Sequence, residues 1–222
     1  MLNWEKIKFV ILDMDGTLLD LHFDNFFWKD HIPSKYAKAH NISLTEAQKY
    51  LDIETTKVSG KIEWYCLDYW TEKLDLPIVE LKREIKHKIA LRPDTLPFLD
   101  ALKKANKKVV LVTNAHPDSL SLKVERTALD EHIDLLISTH SYGVSKESQN
   151  LWQKLQADLK FDNDTTLFVD DSLTILDSAK KFGIKHLLSV ANPDSKLPTL
   201  HDTHFKGYPY ITDYRSLIDD IK

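Results

Sequence analysis

Three features of the 222-residue chain predict an α/β fold built on a parallel sheet. Short, continuous apolar runs recur at long intervals, and each delivers polar residues at its end. Amphipathic helical patterns separate them, and one long stretch after the first run breaks the rhythm. A continuous apolar run of this length is the pattern of a strand buried on both faces.

The first run, Phe9-Val10-Ile11-Leu12, ends in Asp13-Met14-Asp15-Gly16-Thr17. A second, 107–112, ends in Thr113-Asn114, and a third, 165–169, ends in Asp170-Asp171-Ser172. Weaker strands are expected over 135–137 and 185–188. Helical patterns fill 95–104, 117–129, 146–159 and 172–182, the last stopped by Gly183. Strand, helix, strand in succession implies right-handed crossovers and a sheet covered on both faces. Ligands gather at the carboxyl ends of strands in such sheets, so the three polar strand ends are expected to meet at one site.

Residues 18–92 hold no convincing strand and read as several helices punctuated by Pro33, Gly60 and Pro77. They form a helical insertion, with 1–17 and 93–222 as the core. The insertion is rich in aromatics, among them Phe23, Phe27, Trp28, Tyr36, Tyr50, Trp64, Tyr65 and Trp70. A small helical bundle needs such side chains to bury enough area, and stacking on a substrate is the other use. The stretch 191–210 reads as irregular loop before a short helix over 214–221, with His201 and His204 as solvated loop histidines rather than a zinc pair.

With Lys+Arg 30 against Asp+Glu 34, the formal charge of −4 leaves no general electrostatic footprint for nucleic acid or an anionic membrane. At 42% hydrophobic residues the chain has the material for a core, which excludes a disordered protein. The single cysteine, Cys66, cannot make an intrachain disulfide. The opening residues do not read as a secretory signal, and no run approaches the roughly 20 residues of a membrane span. A cytoplasmic protein acting on a small molecule is the expectation.

Alternate strand residues share a side, so Asp13 and Asp15 can face one point while Gly16 lets the chain turn at once. Two carboxylates that close stay ionised only beside a cation such as Mg²⁺; otherwise one stays protonated and becomes a general acid. Asp170 and Asp171 add hard oxygen ligands. Four carboxylates around one point, with Lys146 as neighbour, describe a Mg²⁺ site for phosphoryl transfer. Asp20, Asp24 and Asp177 fall on helical or loop segments, where capping or solvation is the ordinary explanation.

In order and context, Asp13-Met14-Asp15-Gly16-Thr17, Thr113-Asn114, Lys146 and Asp170-Asp171 resemble the four motifs of the haloacid dehalogenase superfamily of aspartate-nucleophile phosphatases. The resemblance implies a Rossmann-like core, with the insertion as a helical C1 cap. It implies Asp13 as nucleophile, forming an aspartyl-phosphate, and Asp15 as the acid and then the base. It also implies phosphate-binding by Thr113, the Asn114 backbone and the turn at Met14 to Gly16, with Lys146 offsetting charge. Mg²⁺ would be held by Asp13, the Asp15 carbonyl, Asp170 and Asp171. Asp15 argues against the dehalogenases and P-type ATPases of the superfamily; a phosphomutase uses the same residues.

Residues 20–28, 64–70, 113–117 and 192–195 are similar to the bacterial GMP/IMP-type purine 5′-nucleotidases of that superfamily, although Ser145 stands where those proteins have proline. This implies a purine nucleoside monophosphate as substrate, with Asn25, Trp28, Trp64 and Asp68 as first candidates for its base. His116 either orients its loop or touches ligand. A sugar-phosphate or phosphoglycolate phosphatase and a non-catalytic scaffold are the remaining readings.

Overall fold

The structure is a computed structural model that describes residues 2–222. Six parallel strands, β1 (Phe9–Leu12), β2 (Lys108–Thr113), β3 (Leu135–Ser138), β4 (Thr166–Val169), β5 (His186–Val190) and β6 (Tyr210–Ile211), form one sheet. Their order is β3-β2-β1-β4-β5-β6. The chain builds outward from β1 on one side, then returns to pair β4 on the other, so β1 sits at the switch between halves. Leu12 is level with Leu111 of β2 and Val169 of β4. One residue further along, Asp13 stands beside Asp170.

Alternation along these strands sends residues to two cores. Val10, Leu12, Val109, Leu111, Leu167 and Val169 pack with Phe98, Leu99 and Leu102 of α7 (Thr95–Lys104). Ile11, Val110, Val112 and Phe168 face the other way. They meet Leu151, Trp152 and Leu155 of α9 (Gln149–Leu159) and Leu176 and Ala179 of α10 (Leu173–Phe182). Gly183 ends α10 at φ +111°, a left-handed conformation that glycine adopts without strain. Between β2 and β3 runs α8 (Pro117–Thr127).

The stretch between β1 and α7 is helical, as its composition predicts: α1 (His22–Phe26), α2 (Ile32–His40), α3 (Leu44–Val58), α4 (Ile62–Tyr65), α5 (Leu67–Leu74) and α6 (Ile78–Glu84). Phe23, Phe27, Ile32, Leu51, Leu67, Trp70, Leu74, Ile78, Leu81 and Ile85 form a third core, which Leu122 of α8 joins. Pro33 does not punctuate this segment. It follows a π-helical turn at Phe27–His31 that joins α1 to α2 without a loop, and the helix runs on through the residue that cannot donate. Pro77 and Gly60 do fall at breaks.

Other differences are small and local. Strand β6 lies at the end of the expected loop and pairs through Ser189 with Tyr210 and Val190 with Ile211. The final helix, α11, covers only Arg215–Ile218. Helix α9 starts three residues later than the pattern suggests, because Ser148 caps it by accepting from the Asn150 N–H. Lys146 therefore sits in the preceding turn.

Tyr214 anchors the chain's end. Its fully buried ring stacks on Phe98 with centroids 4.3 Å apart, and its N–H donates to Asp94 Oδ2 at 2.7 Å. Its hydroxyl has no hydrogen-bond partner among the described residues. Tyr214→Phe should therefore match or exceed wild type in urea denaturation, while Tyr214→Ala should lose about 3–5 kcal/mol.

Candidate active site

The turn after β1 is drawn tight by Leu18 and Leu19 N–H donating to Met14 C=O at 2.9 and 2.8 Å, and by Gly16 N–H donating to Leu19 C=O at 2.8 Å. Gly16 adopts φ +81°, and a Cβ there would lie 2.6 Å from Asp171 Oδ2. Only glycine lets the turn lie against that carboxylate.

Asp13 and Asp170 converge on Lys146, whose ammonium is 1% exposed and donates to Asp13 Oδ1 and, at 2.7 Å, to Asp170 Oδ2. Asn114 sets the lysine's position: its Oδ1 accepts from Lys146 N–H at 2.9 Å and from Thr139 Oγ1 at 3.0 Å. The Asn114 amide in turn donates to Glu147 Oε2, while Glu147 Oε1 accepts from Tyr65 OH at 2.9 Å, a tie from α4 to the sheet layer. Thr113 Oγ1 accepts from Ala115 N–H at 3.0 Å and remains at the site's edge.

The structure brings together three of the four expected carboxylates. Asp13, Asp170 and Asp171 offer oxygens within 4.8 Å of one another. Asp15 turns instead to Lys123 on α8, 2.7 Å away. Lys123 also pairs with Asp24 at 2.6 Å, and Asp24 pairs with Lys82 of α6 at 2.7 Å. Asp24 is thus neither a cap nor a solvated side chain, as its position suggested. It joins a buried Asp15–Lys123–Asp24–Lys82 chain that links the two layers. Lys82 occupies the apolar stripe Ile78, Leu81, Ile85, and Lys123 follows Ser119 and Leu122 on the buried face of α8. A lysine inside a core-facing helical stripe was the signal available in the sequence.

Burial raises the carboxyls here, and the lysines oppose it. Desolvation lifts Asp13 to about 6 against the pull of Lys146, and Asp15 to about 7 against that of Lys123. Asp171 lies well above its ordinary range through burial and the charges of Asp170 and Asp13. For Asp24 the order reverses: burial is outweighed by Lys123 and Lys82, which hold it well below the usual range. Crowded hard oxygen donors held partly protonated for want of positive charge fit a divalent cation.

A cavity of about 400 Å³ opens from these groups toward the helical insertion. Asp13, Asp15, Thr113, Lys146 and Asp171 line it from the sheet layer, and Leu21, Trp28, Leu51, Trp64, Leu67 and Trp70 line it from the helical insertion. Asn25 also lines it, with its amide donating to Asp194 Oδ2 at 2.7 Å. Asp68 is not among the lining residues; its exposed carboxylate lies 3.3 Å from His116 Nε2. His116 lines the cavity and caps α8, its Nδ1 accepting from the Asp118 N–H.

Residues 7–183 match the family of haloacid dehalogenase-like hydrolases. The chain belongs to that family. As a haloacid dehalogenase-like hydrolase it is 44% identical over 218 residues to GMP/IMP nucleotidase YrfG of Escherichia coli strain K12, covering 98% of this chain and 97% of that protein. The same values hold for GMP/IMP nucleotidase YrfG of Shigella flexneri. Among solved structures, a HAD phosphatase from Thermococcus onnurineus superposes with a TM-score of 0.77 at 23% identity, over 97% of this chain and 98% of that one. Among the described residues of this hydrolase, no helix is long and apolar enough to cross a membrane.

Two outcomes test the site's electrostatics and packing. Asp24→Asn leaves two buried ammonium groups short of a carboxylate, and urea unfolding at neutral pH should show a loss of roughly 3 kcal/mol. Because Asp24 is depressed in the folded state, its contribution is complete above the unfolded value of about 3.9 and is lost as pH falls through the folded one. The gap between wild type and variant should therefore shrink below about pH 4. Gly16→Ala pushes Asp171 from its place, and titration calorimetry should show divalent-cation affinity weakened about 10–100-fold with the fold retained.

Proposed function

We propose that this hydrolase removes phosphate from purine nucleoside 5′-monophosphates, GMP and IMP first, through an aspartyl-phosphate on Asp13. The observation that carries the reading is a single cavity lined from the sheet layer by paired carboxylates and Lys146 and from the helical insertion by three tryptophans. Its volume suits one small ligand, and ring faces at Trp28 and Trp64 offer stacking to a purine. The relatives named for GMP and IMP support the same substrate.

Asp13 attacks phosphorus as the ester oxygen leaves, and Asp15 gives that oxygen its proton. A water then attacks the acyl phosphate, Asp15 takes up its proton, and inorganic phosphate departs with Asp13 restored. An acid that must also serve as base works best near neutral pH, and burial raises Asp15 to about 7. Thr113, the Asn114 backbone and the amides from Met14 to Gly16 hold the phosphoryl oxygens, and Lys146 fixes Asp13 and offsets the incoming charge. Asp13, the Asp15 carbonyl, Asp170 and Asp171 would hold Mg²⁺, which would supply positive charge against the phosphoryl oxygens.

Residues 18–92 act as a cap on the core formed by 1–17 and 93–222, enclosing the nucleoside. Trp28 and Trp64 stack the base, Asn25 is oriented by Asp194, and Asp68 acts through His116 rather than on the ligand.

Phosphate release across nucleoside monophosphates, sugar phosphates and phosphoglycolate tests this. GMP and IMP should lead with Mg²⁺ and fall silent in EDTA. Asp13→Asn should abolish both turnover and acyl-phosphate trapping. Preference for a sugar phosphate would overturn the substrate, and isomerisation of a hexose phosphate without phosphate release would overturn hydrolysis.

A further inference from the structure

A second cluster of metal-ligating groups lies beside the cavity and plays no part in the phosphoryl chemistry. Cys66, at the start of α5, and His116 and His140, from the sheet layer, place ligand atoms within 4.8 Å of one another. Neither Cys66 nor His140 holds the local fold through the atom it presents, and the His116 nitrogen that does not cap α8 is Nε2. Cys66 occupies the N-cap position of α5 but makes no side-chain capping bond. His140 Nε2 is buried and has no hydrogen-bond partner among the described residues. The rings of His116 and His140 meet edge to face with centroids 5.0 Å apart, too close for two imidazolium cations to be comfortable.

We propose that Cys66, His116 and His140 bind a zinc-class transition-metal ion that clasps the helical segment to the sheet layer. One thiolate and two imidazoles select zinc over magnesium, which prefers hard oxygens. The donor set is therefore chemically distinct from Asp13, Asp170 and Asp171. Zinc holds such donors about 2.0–2.3 Å from the ion, so the three ligand atoms, within 4.8 Å of one another, must draw together as the ion binds. Asp68, 3.3 Å from His116 Nε2, is placed to give a fourth oxygen; on binding, the His116 proton moves to Nδ1, which gives up the bond it accepts from the Asp118 N–H and donates to Asp118 Oδ2, 3.6 Å away. Binding replaces the Cys66 thiol proton, which passes to solvent, while both imidazoles ligate as neutral rings. The donors come from both sides of the cavity, Cys66 and Asp68 from one segment and the histidines from the other.

Cobalt(II) reports this site directly, because a thiolate ligand gives a sulfur-to-metal charge-transfer band that an all-oxygen site cannot. The full chain, with excess Mg²⁺ to fill the carboxylate site, should take up one equivalent with that band and tetrahedral ligand-field absorption. Zinc should displace the cobalt and raise the melting temperature. Cys66→Ser should lose the band, and His140→Asn should weaken cobalt binding by at least about tenfold, with both variants melting like metal-free wild type. Absence of the band in wild type, or its survival unchanged in His140→Asn, would overturn the proposal. Should Cys66→Ser fail to fold, His140→Asn alone decides.

Discussion

Burying negative charge is the constraint on which this structure depends. Asp13, Asp15, Asp24, Asp170 and Asp171 crowd the carboxyl ends of β1 and β4 and the start of α1, and among the described residues only Lys82, Lys123 and Lys146 pair with them. Five carboxylates against three ammonium groups leave two negative charges unanswered. Water is largely excluded, so the imbalance appears as raised carboxyl pKa values at Asp13, Asp15 and Asp171. A divalent cation would close the gap, and the excess of acid is unevenly distributed. It falls where the three oxygens of Asp13, Asp170 and Asp171 meet, whereas Asp24 is doubly paired and fully ionised.

The same pairing joins the two parts of the molecule. Lys123 is shared between Asp15, in the turn after β1, and Asp24, on the first helix of the insertion. The ionisation of the turn therefore depends on where α1 lies. A second tie, Tyr65 to Glu147 to Asn114 to Lys146, runs from α4 to the other carboxylate pair. Each half of the charged cluster thus answers to a different helix of the insertion.

Much of this was legible in the sequence, for identifiable reasons. The buried strands announce themselves because parallel strands covered on both faces are continuously apolar, and their polar ends cluster because the topology leaves nowhere else for them. Asp13, Lys146, Asp170 and Asp171 could be placed together from order alone. Lys82, Lys123 and the role of Asp24 could not: their partners lie 58 and 99 residues away in sequence, and only tertiary packing shows that the helical stripes holding the lysines face each other. Strand β6 escaped because two residues carry no periodicity, and its pairing depends on β5 presenting an open edge. Pro33 misled because a proline that usually ends a helix can also be passed where a π-helical turn precedes it.

The two crossings between the layers lie side by side. Leu19 and Leu91 form an antiparallel bridge, Asp20 N–H donates to Ala90 C=O, and Arg92 N–H donates to Leu18 C=O. Arg92 then fastens the return crossing to the far end of the chain, its guanidinium donating to the Asn192 and Thr212 carbonyls. Everything between these neighbouring points is, topologically, a single excursion from a closed scaffold. Its length and content can change without altering the path of any strand, which makes it an exchangeable cassette: a lineage can rebuild the helical wall of the cavity by insertion or recombination, provided each new version answers Lys123 and Glu147 as Asp24 and Tyr65 do here.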